Sequence, residues 1–359
     1  MQTSIAADSP SGRTDAVRVV ACDPAWAARW NAYVDSAPGA SLYHLWGWRD
    51  VNRDEFGHAT FALAAVAGER IVGVLPVVRV KTLLFGNIGC SMPFVNYGGP
   101  VADGPEAEQA LLTAAADLAR REKMKYLEIR SLRRLDERIP ALTHKVSMTL
   151  DLTPGVEGLW TAFKSGHRQQ IRKAEKEGFT TRHGGRELLD DFYLVLSESW
   201  RSLGTPLYHR RYFSRLYDVL GDDRFWVTVL YDGARPAAAQ MGGLFGSTIE
   251  GLWLGMREEF RHRYVGYTLY WELLKWGAEH GYRTFHLGRS TADSGAEAFK
   301  KKWNAYAAQL YWHYLLEAGR PLPALNVDNP NYRRAIEAWR RLPLAVTQFV
   351  GPHVARGIP

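Results

Sequence analysis

Two stretches of the chain carry one hydrophobic pattern. Phe61 to Val80 (FALAAVAGERIVGVLPVVRV) and Trp226 to Phe245 (WVTVLYDGARPAAAQMGGLF) align without a gap when Gly68 is laid on Gly233. Each has an apolar, β-rich run, a glycine-centred turn followed by Arg70 or Arg235, and a second apolar run, which predicts a hairpin. Downstream of each hairpin the period lengthens to that of a helix. Glu106 to Glu122 and Gly266 to His280 predict amphipathic helices, each leading into a short buried strand, Tyr126 to Ile129 and Thr284 to Leu287. In the second helix Tyr267, Tyr270, Trp271 and Leu274 make the buried stripe. The recurring order predicts an internal duplication.

Between the two copies, Leu189, Phe192, Tyr193, Leu196, Trp200 and Leu203 follow helical spacing up to the break at Gly204, Thr205 and Pro206. This is read as the opening helix of a second domain. A chain of 359 residues suits two domains plus a tail. The pattern predicts a first domain over 16–145, closing after the proline- and charge-rich stretch Arg133 to Lys145, and a second over 146–318 that holds the active site. Residues 1–15, small and polar, are expected to be disordered. Residues 319–359 form a turn-rich tail and a helix with Ala335, Ile336 and Trp339 on one side, expected to pack back on the first domain.

Composition adds limits. Thirteen Trp, 17 Tyr and 14 Phe supply ample core. The first residues have neither the basic start nor the apolar stretch of a secretory signal, and no run reaches the length of a spanning helix, so a cytoplasmic location is expected. Cys22 and Cys90 have no metal-ligand or disulfide spacing, and neither a metal nor a bound cofactor is expected. A net charge of +7 favours an anionic partner: a phosphate-bearing small molecule, a glycan- or lipid-linked substrate, tRNA, or peripheral contact with the anionic inner membrane.

Nucleophilic triads, paired acids at helical spacing, and Walker or Rossmann glycine patterns are missing, which argues against hydrolases and kinases. Three segments remain. Arg261 to Thr268 (RHRYVGYT) stands between a strand and a helix, where unpaired N–H groups and the helix dipole suit a phosphate; an ordinary turn with a solvated basic flank is the alternative. Lys164 to Gly178 reads as a helix from about Ser165, with Arg168, Arg172 and Lys176 one turn apart on a face that either holds substrate phosphates or is merely solvated. Gly288 to Asn304 leaves the last buried strand through a polar turn, and a lysine there could stabilise charge developing on an acyl carbonyl, with a solvated lysine cluster as the alternative.

These segments resemble known families. Arg263, Gly266 and Thr268 resemble the R/Q-x-x-G-x-G/A loop with which GNAT acetyltransferases hold coenzyme A, with threonine in place of the last small residue. Over nearly the whole chain, HRQQIRKAEKEGF, GTPLYHRRYF, HLGRSTADSGAEAFKKKWNA and WRRLPLAVTQFVGP resemble the FemAB family, in particular its branch with a BioF2-like acetyltransferase domain beside exosortase (PEP-CTERM) and exopolysaccharide gene sets. The resemblance implies an α/β fold of two tandem GNAT domains, each a mixed, mainly antiparallel sheet flanked by helices. It implies that Phe299 and Lys300 lie by the reacting centre, and that Arg289 joins the substrate contacts. The family's early glutamine, tryptophan and lysine pattern falls here on His44, Trp48 and Asn52, so the lysine is missing, with Arg53 adjacent.

The function expected is acyl or aminoacyl transfer to an amine of a cell-envelope or exopolysaccharide precursor. The donor, aminoacyl-tRNA or acyl-coenzyme A, is a co-substrate, and His286, His167 or the substrate itself is the base. The alternatives are an N-acyltransferase using acyl-coenzyme A or acyl-carrier protein, and a non-catalytic module that binds an anionic glycan or lipid.

Overall fold

The computed structural model describes residues 15–82, 86–317, 319–323 and 330–358. All but the last residue of the N-terminal segment expected to be disordered, and part of the turn-rich segment after Leu316, lie outside the described residues. The first half runs β1 (Val17–Ala21), α1 (Ala27–Ser36), α2 (Gly47–Phe56), β2 (Ala59–Ala67), β3 (Arg70–Thr82), β4 (Gly86–Cys90), β5 (Val101–Ala102), α3 (Pro105–Arg121), β6 (Tyr126–Ser131) and β7 (Ala141–Asp151). The second runs α4 (Gly155–Ala162), α5 (Ser165–Glu175), β8 (Thr180–Gly184), α6 (Leu189–Leu203), α7 (Arg210–Leu220), β9 (Phe225–Asp232), β10 (Arg235–Phe245), β11 (Thr248–Met256), α8 (Val265–Glu279), β12 (Thr284–Thr291), α9 (Gly295–Lys301) and β13 (Tyr306–Leu316). Helices α10 (Pro330–Arg341) and α11 (Leu344–Ala355) follow.

The repeat read from the hydrophobic pattern is a structural repeat. β2–β3 and β9–β10 are antiparallel hairpins, and their turn glycines Gly68 and Gly233 adopt φ of 59° and 60°, the left-handed region that a side chain resists. In each half the fourth strand pairs in parallel with the strand beyond the crossover helix, β4 with β6 and β11 with β12. The other strand pairs among the described residues are antiparallel.

All strands join one sheet in the order β1-β2-β3-β4-β6-β13-β7-β12-β11-β10-β9-β8, with β5 on β3. The centre of this order shows an exchange. β7, the last strand of the first half, pairs with β12 of the second, whereas β13, the last of the second, pairs with β6 of the first. β7 and β13 also pair with each other. Position 145, where the sequence sets the domain boundary, therefore lies inside a strand shared by both halves, because the proline- and charge-rich stretch before it is only the loop between β6 and β7.

One face of the sheet carries a continuous core that takes in Trp30, Trp48, Phe192, Tyr212 and Phe213 from α1, α2, α6 and α7 together with Leu310, Trp312 and Tyr314 of β13. The other face has two separate cores, one under α3 and one under α4, α5 and α8. The tail differs from expectation. α10 and α11 pack on α6 of the second half. First-half contact occurs at the end of α11, where His58 Nε2 lies 2.8 Å from the Arg356 carbonyl. The reason is that Gly351 sits against the Leu207 backbone, a close approach that fixes α11 beside α6. No helix among the described residues is long and apolar enough to cross a membrane.

Exchanged strands and a shared core make the halves one folding unit. Urea unfolding followed by tryptophan fluorescence and by far-UV circular dichroism should give a single coincident transition, and residues 152–359 expressed alone, without β7, should fail to fold. Two separable transitions would contradict this picture.

Candidate active site

β11 and β12 pair over only three positions, the last being Glu250 with His286, and then part: β11 continues to Met256 while β12 turns along β7. The point of separation is polar. Glu250 is 1% exposed and takes three hydrogen bonds, from Tyr43 Oη (2.9 Å), Tyr97 Oη (2.6 Å) and His286 Nδ1 (2.9 Å). Asn96 Nδ2 donates to Tyr43 Oη at 3.1 Å. Tyr43, Asn96 and Tyr97 belong to the first half, Glu250 and His286 to the second, so the site exists only when the halves are joined.

His286 keeps 14% of its side chain exposed. Burial alone would push its pKa down, but the charge and hydrogen bond of Glu250 outweigh burial and hold it above the ordinary histidine value. With Nδ1 facing the carboxylate, the assigned tautomer leaves Nε2 as the free base. The two tyrosines are forced well above the usual phenol range, first by burial and then by Glu250, and remain neutral donors.

Lys300 meets β12 further along, at Gly288 and Arg289, from the α8 side. Its neighbour Phe299 packs on Tyr267 and Tyr270, with ring centroids at 5.6 and 5.3 Å, and this anchors α9 to α8. Lys300 Nζ donates to the carbonyls of Gly288 (3.1 Å) and Arg289 (3.3 Å), leaving one N–H for another acceptor. Those carbonyls flank a register break in β12 between His286 and Arg289, where Gly288 takes φ of 80°. Burial lowers the lysine pKa to about 8.

The other predicted residues are placed differently. His44 and Trp48, 2% exposed each, are bound inside: His44 Nδ1 to Ser41, His44 Nε2 to the Gly99 carbonyl at 2.9 Å, and Trp48 Nε1 to the Leu42 carbonyl at 2.8 Å. They shape the loop that carries Tyr43 and have no atom to offer a substrate. Arg263 forms ion pairs with Glu177 and Asp232, both at 2.9 Å, and stacks on Phe179, so its guanidinium is taken up in joining the α8 loop to β9 and the end of α5. Gly266 lies against Met256, and the Thr268 hydroxyl is buried without a partner. The stripe on α5 is divided: Arg168 donates to the carbonyls of Thr161 and Phe163 at the end of α4, Arg172 stacks on Trp160, and Lys176 is exposed. His167 is enclosed by Phe163, Tyr267 and Trp303 with both ring nitrogens unpaired, and burial, then Lys302, lowers its pKa to about 4, which leaves His286 as the better base. Arg289 lies beyond the register break, on the Glu250 side of the sheet.

Sequence reasoning missed Glu250, Tyr43 and Tyr97. Glu250 could have been found as a lone acid inside the apolar run Thr248 to Met256. Nothing local marks the tyrosines, whose role arises from contacts across 207 and 153 residues.

Residues 162–301 match the family model described as an acetyltransferase (GNAT) domain. No curated protein matches the chain. Among solved structures, FemX is similar over 84% of this chain and 97% of its own, with a TM-score of 0.64 and 16% identity. The structure of L-PGS from Bacillus licheniformis is similar over 92% of this chain and 97% of its own (TM-score 0.55, 15% identity). A tandem GNAT protein from the clavulanic acid biosynthesis pathway is similar over 83% and 97% (TM-score 0.50, 14% identity). At these identities the likeness is one of fold, and the split between β11 and β12, with α8 crossing between them, falls within the matched segment. Residues 162–301 thus match an acetyltransferase domain of the GNAT type, in a chain whose fold is similar over more than four fifths of its length to FemX and to a tandem GNAT protein.

Proposed function

We propose that the chain transfers an acyl group from an activated ester or thioester to an amine at the point where β11 and β12 part. The observation that carries this reading is the Glu250–His286 pair there, a buried carboxylate orienting a partly open imidazole, with the buried Lys300 ammonium held on the Gly288 and Arg289 carbonyls further along the same strand. The amine nitrogen attacks the acyl carbonyl and forms the new C–N bond. His286 Nε2 takes the amine proton, the free N–H of Lys300 faces the oxyanion, and the C–S or C–O bond then breaks as the proton passes to the leaving group. Glu250 keeps the imidazole in the required tautomer, and Tyr97 and Tyr43 hold Glu250. Phe299 acts through Lys300, as a positioning residue.

The donor's phosphates are proposed to meet the first turn of α8. Its N-cap, Tyr264 at φ 55°, supplies no side-chain acceptor to the leading N–H groups, and Arg261 and His262 are exposed just before it. These two replace Arg263 in that role. The acetyltransferase domain over 162–301 favours acyl-coenzyme A as donor, and the charge of +7 favours aminoacyl-tRNA. The acceptor proposed is a precursor of the cell envelope or of an exopolysaccharide, with the reaction on the cytoplasmic side; the net positive charge suits the anionic groups such precursors carry.

Two measurements test the mechanism. With each donor class supplied, Lys300→Ala should lower turnover by about a hundredfold or more, on the scale of a lost oxyanion donor, while the variant still melts cooperatively. Near-normal turnover would refute the role of Lys300. The second is a pH profile. A base works unprotonated, so kcat/KM should rise with pH through an inflection above the ordinary 6.5 of histidine, because Glu250 raises the His286 pKa. In Glu250→Gln the buried ring loses the charge that held it up, and the inflection should move to lower pH with a slower maximal rate. An unmoved inflection would mean that another group accepts the proton.

A further inference from the structure

A second charged cluster lies two residues along β7 from the acyl-transfer site. His286 pairs with Thr149 and Arg289 with Ser147. Arg289 is three positions on from His286, a spacing that in a regular strand would send their side chains to opposite faces. The register break between them, with Gly288 at φ 80°, adds a residue and returns Arg289 to the face of His286. The fold therefore turns this arginine towards the reacting side.

Around Trp312 gather Arg130, His144, Lys145 and Arg289. The Arg130 and Arg289 guanidinium carbons stand 4.3 and 5.5 Å from the Trp312 ring, and His144 meets it edge-on at 4.8 Å. The one carboxylate interacting with this group among the described residues is Glu128, and it is already occupied by Arg130 Nε at 2.6 Å and Tyr314 Oη at 2.7 Å. Neither Lys145 nor Arg289 forms a direct ion pair with a carboxylate among the described residues: Glu128 acts on Arg289 through its charge alone, and Lys145 Nζ meets the Thr291 hydroxyl at 2.8 Å. Arg289 Nη1, Ser147 Oγ, Trp312 Nε1 and both His144 nitrogens are buried and unpaired. Two cations without a direct ion-pair partner, beside unused donors and sharing only the already paired Glu128, are costly for the protein alone. Burial, then the repulsion of Arg130, lowers the Arg289 pKa to about 10, in keeping with a missing anion.

We infer that Arg289 and Lys145, with Ser147 and Trp312, form a binding site for a phosphoryl group of the acyl acceptor. Two uncompensated positive charges match a dianion, and the guanidinium fork suits its oxygens. The two-residue step from Thr149 to Ser147 places the backbone positions of His286 and Arg289 about 7 Å apart along the strand, on one face. The acceptor inferred is a phosphorylated amine. This inference rests on the acyl-transfer reading for the identity of the ligand as acceptor, but the site itself is tested without turnover.

The test is thermal melting in inorganic phosphate against chloride at equal ionic strength, with acetate as a third arm. At several times the dissociation constant, wild type should gain on the order of 3 °C in phosphate. Arg289→Gln should lose the gain while melting no lower than wild type in chloride, since it removes an unpaired buried charge, and Lys145→Met should reduce the gain. No gain in wild type, or the same gain in both variants, which would be salting-out over the whole surface, overturns the site. An equal gain with acetate overturns the phosphoryl assignment. Glu250→Gln should keep the phosphate response. A chain that responds to phosphate through Arg289 yet transfers no acyl group refutes the transferase reading alone, and a transferase indifferent to phosphate refutes this site alone.

Discussion

The hydrogen-bonded pair of central strands is the constraint on which the rest depends. β7 and β13 join each other, and each also completes the sheet of the opposite half. Neither half can bury the outer edge of its fifth strand without a strand from the other, and an uncovered edge leaves a row of unpaired backbone groups. This exchange also fixes the relative placement of the two halves closely enough for side chains from both to meet on one carboxylate. In a pair of domains joined by a linker, Tyr43 and Tyr97 would reach Glu250 only intermittently.

The same constraint accounts for the asymmetry between two structurally equivalent positions. In the first half the parallel pair at the split is Cys90 with Glu128, and Glu128 is closed off by Arg130 and Tyr314. In the second half it is Glu250 with His286, and the imidazole keeps an accessible edge. The helices that follow differ in the same sense. α3 opens with Glu106 and Glu108, which repel a phosphate, whereas α8 has no acid in its first turn and follows Arg261 and His262. Duplication supplied two splits of one geometry, and the side chains leave only the second with an accessible acid–base edge.

The hairpins, crossover helices and their repetition were legible in the sequence because each rests on local periodicity and turn chemistry, as the matching left-handed Gly68 and Gly233 show. The strand exchange was not legible, since β7 and β13 read as ordinary strands and their partners are chosen by the whole sheet. The site was legible in part. Lys300 was singled out through family resemblance, His286 was one base among several candidates, and the structure adds the Glu250 contact to His286. Arg263 misled because a basic residue ahead of a helix looks alike in sequence whether its guanidinium is free or, as here, held by Glu177 and Asp232. His44 and Trp48 misled for the converse reason: polar atoms that look available are used up by carbonyls a few residues away or on a neighbouring loop.

The energetics of the Glu250 cluster bear on why it is there. Burying a carboxylate costs several kcal/mol, and its three hydrogen bonds, at roughly 1.5–3 kcal/mol each for bonds to a charged group, only about offset that cost. An apolar trio of similar volume would pack this seam at least as stably, so stability alone does not explain an ionisable pair at the split. What the apolar trio would lack is a proton acceptor of fixed tautomer at the edge of a cleft. The same reasoning separates Glu128 from Glu250. The bonds around Glu128 are internally complete, and they hold Arg130 over Trp312, whereas Glu250 holds a histidine whose outer nitrogen is left unused. A buried polar group that ends in an open acid–base atom has its explanation in a ligand, and the orientation of that atom sets where the reacting amine must lie.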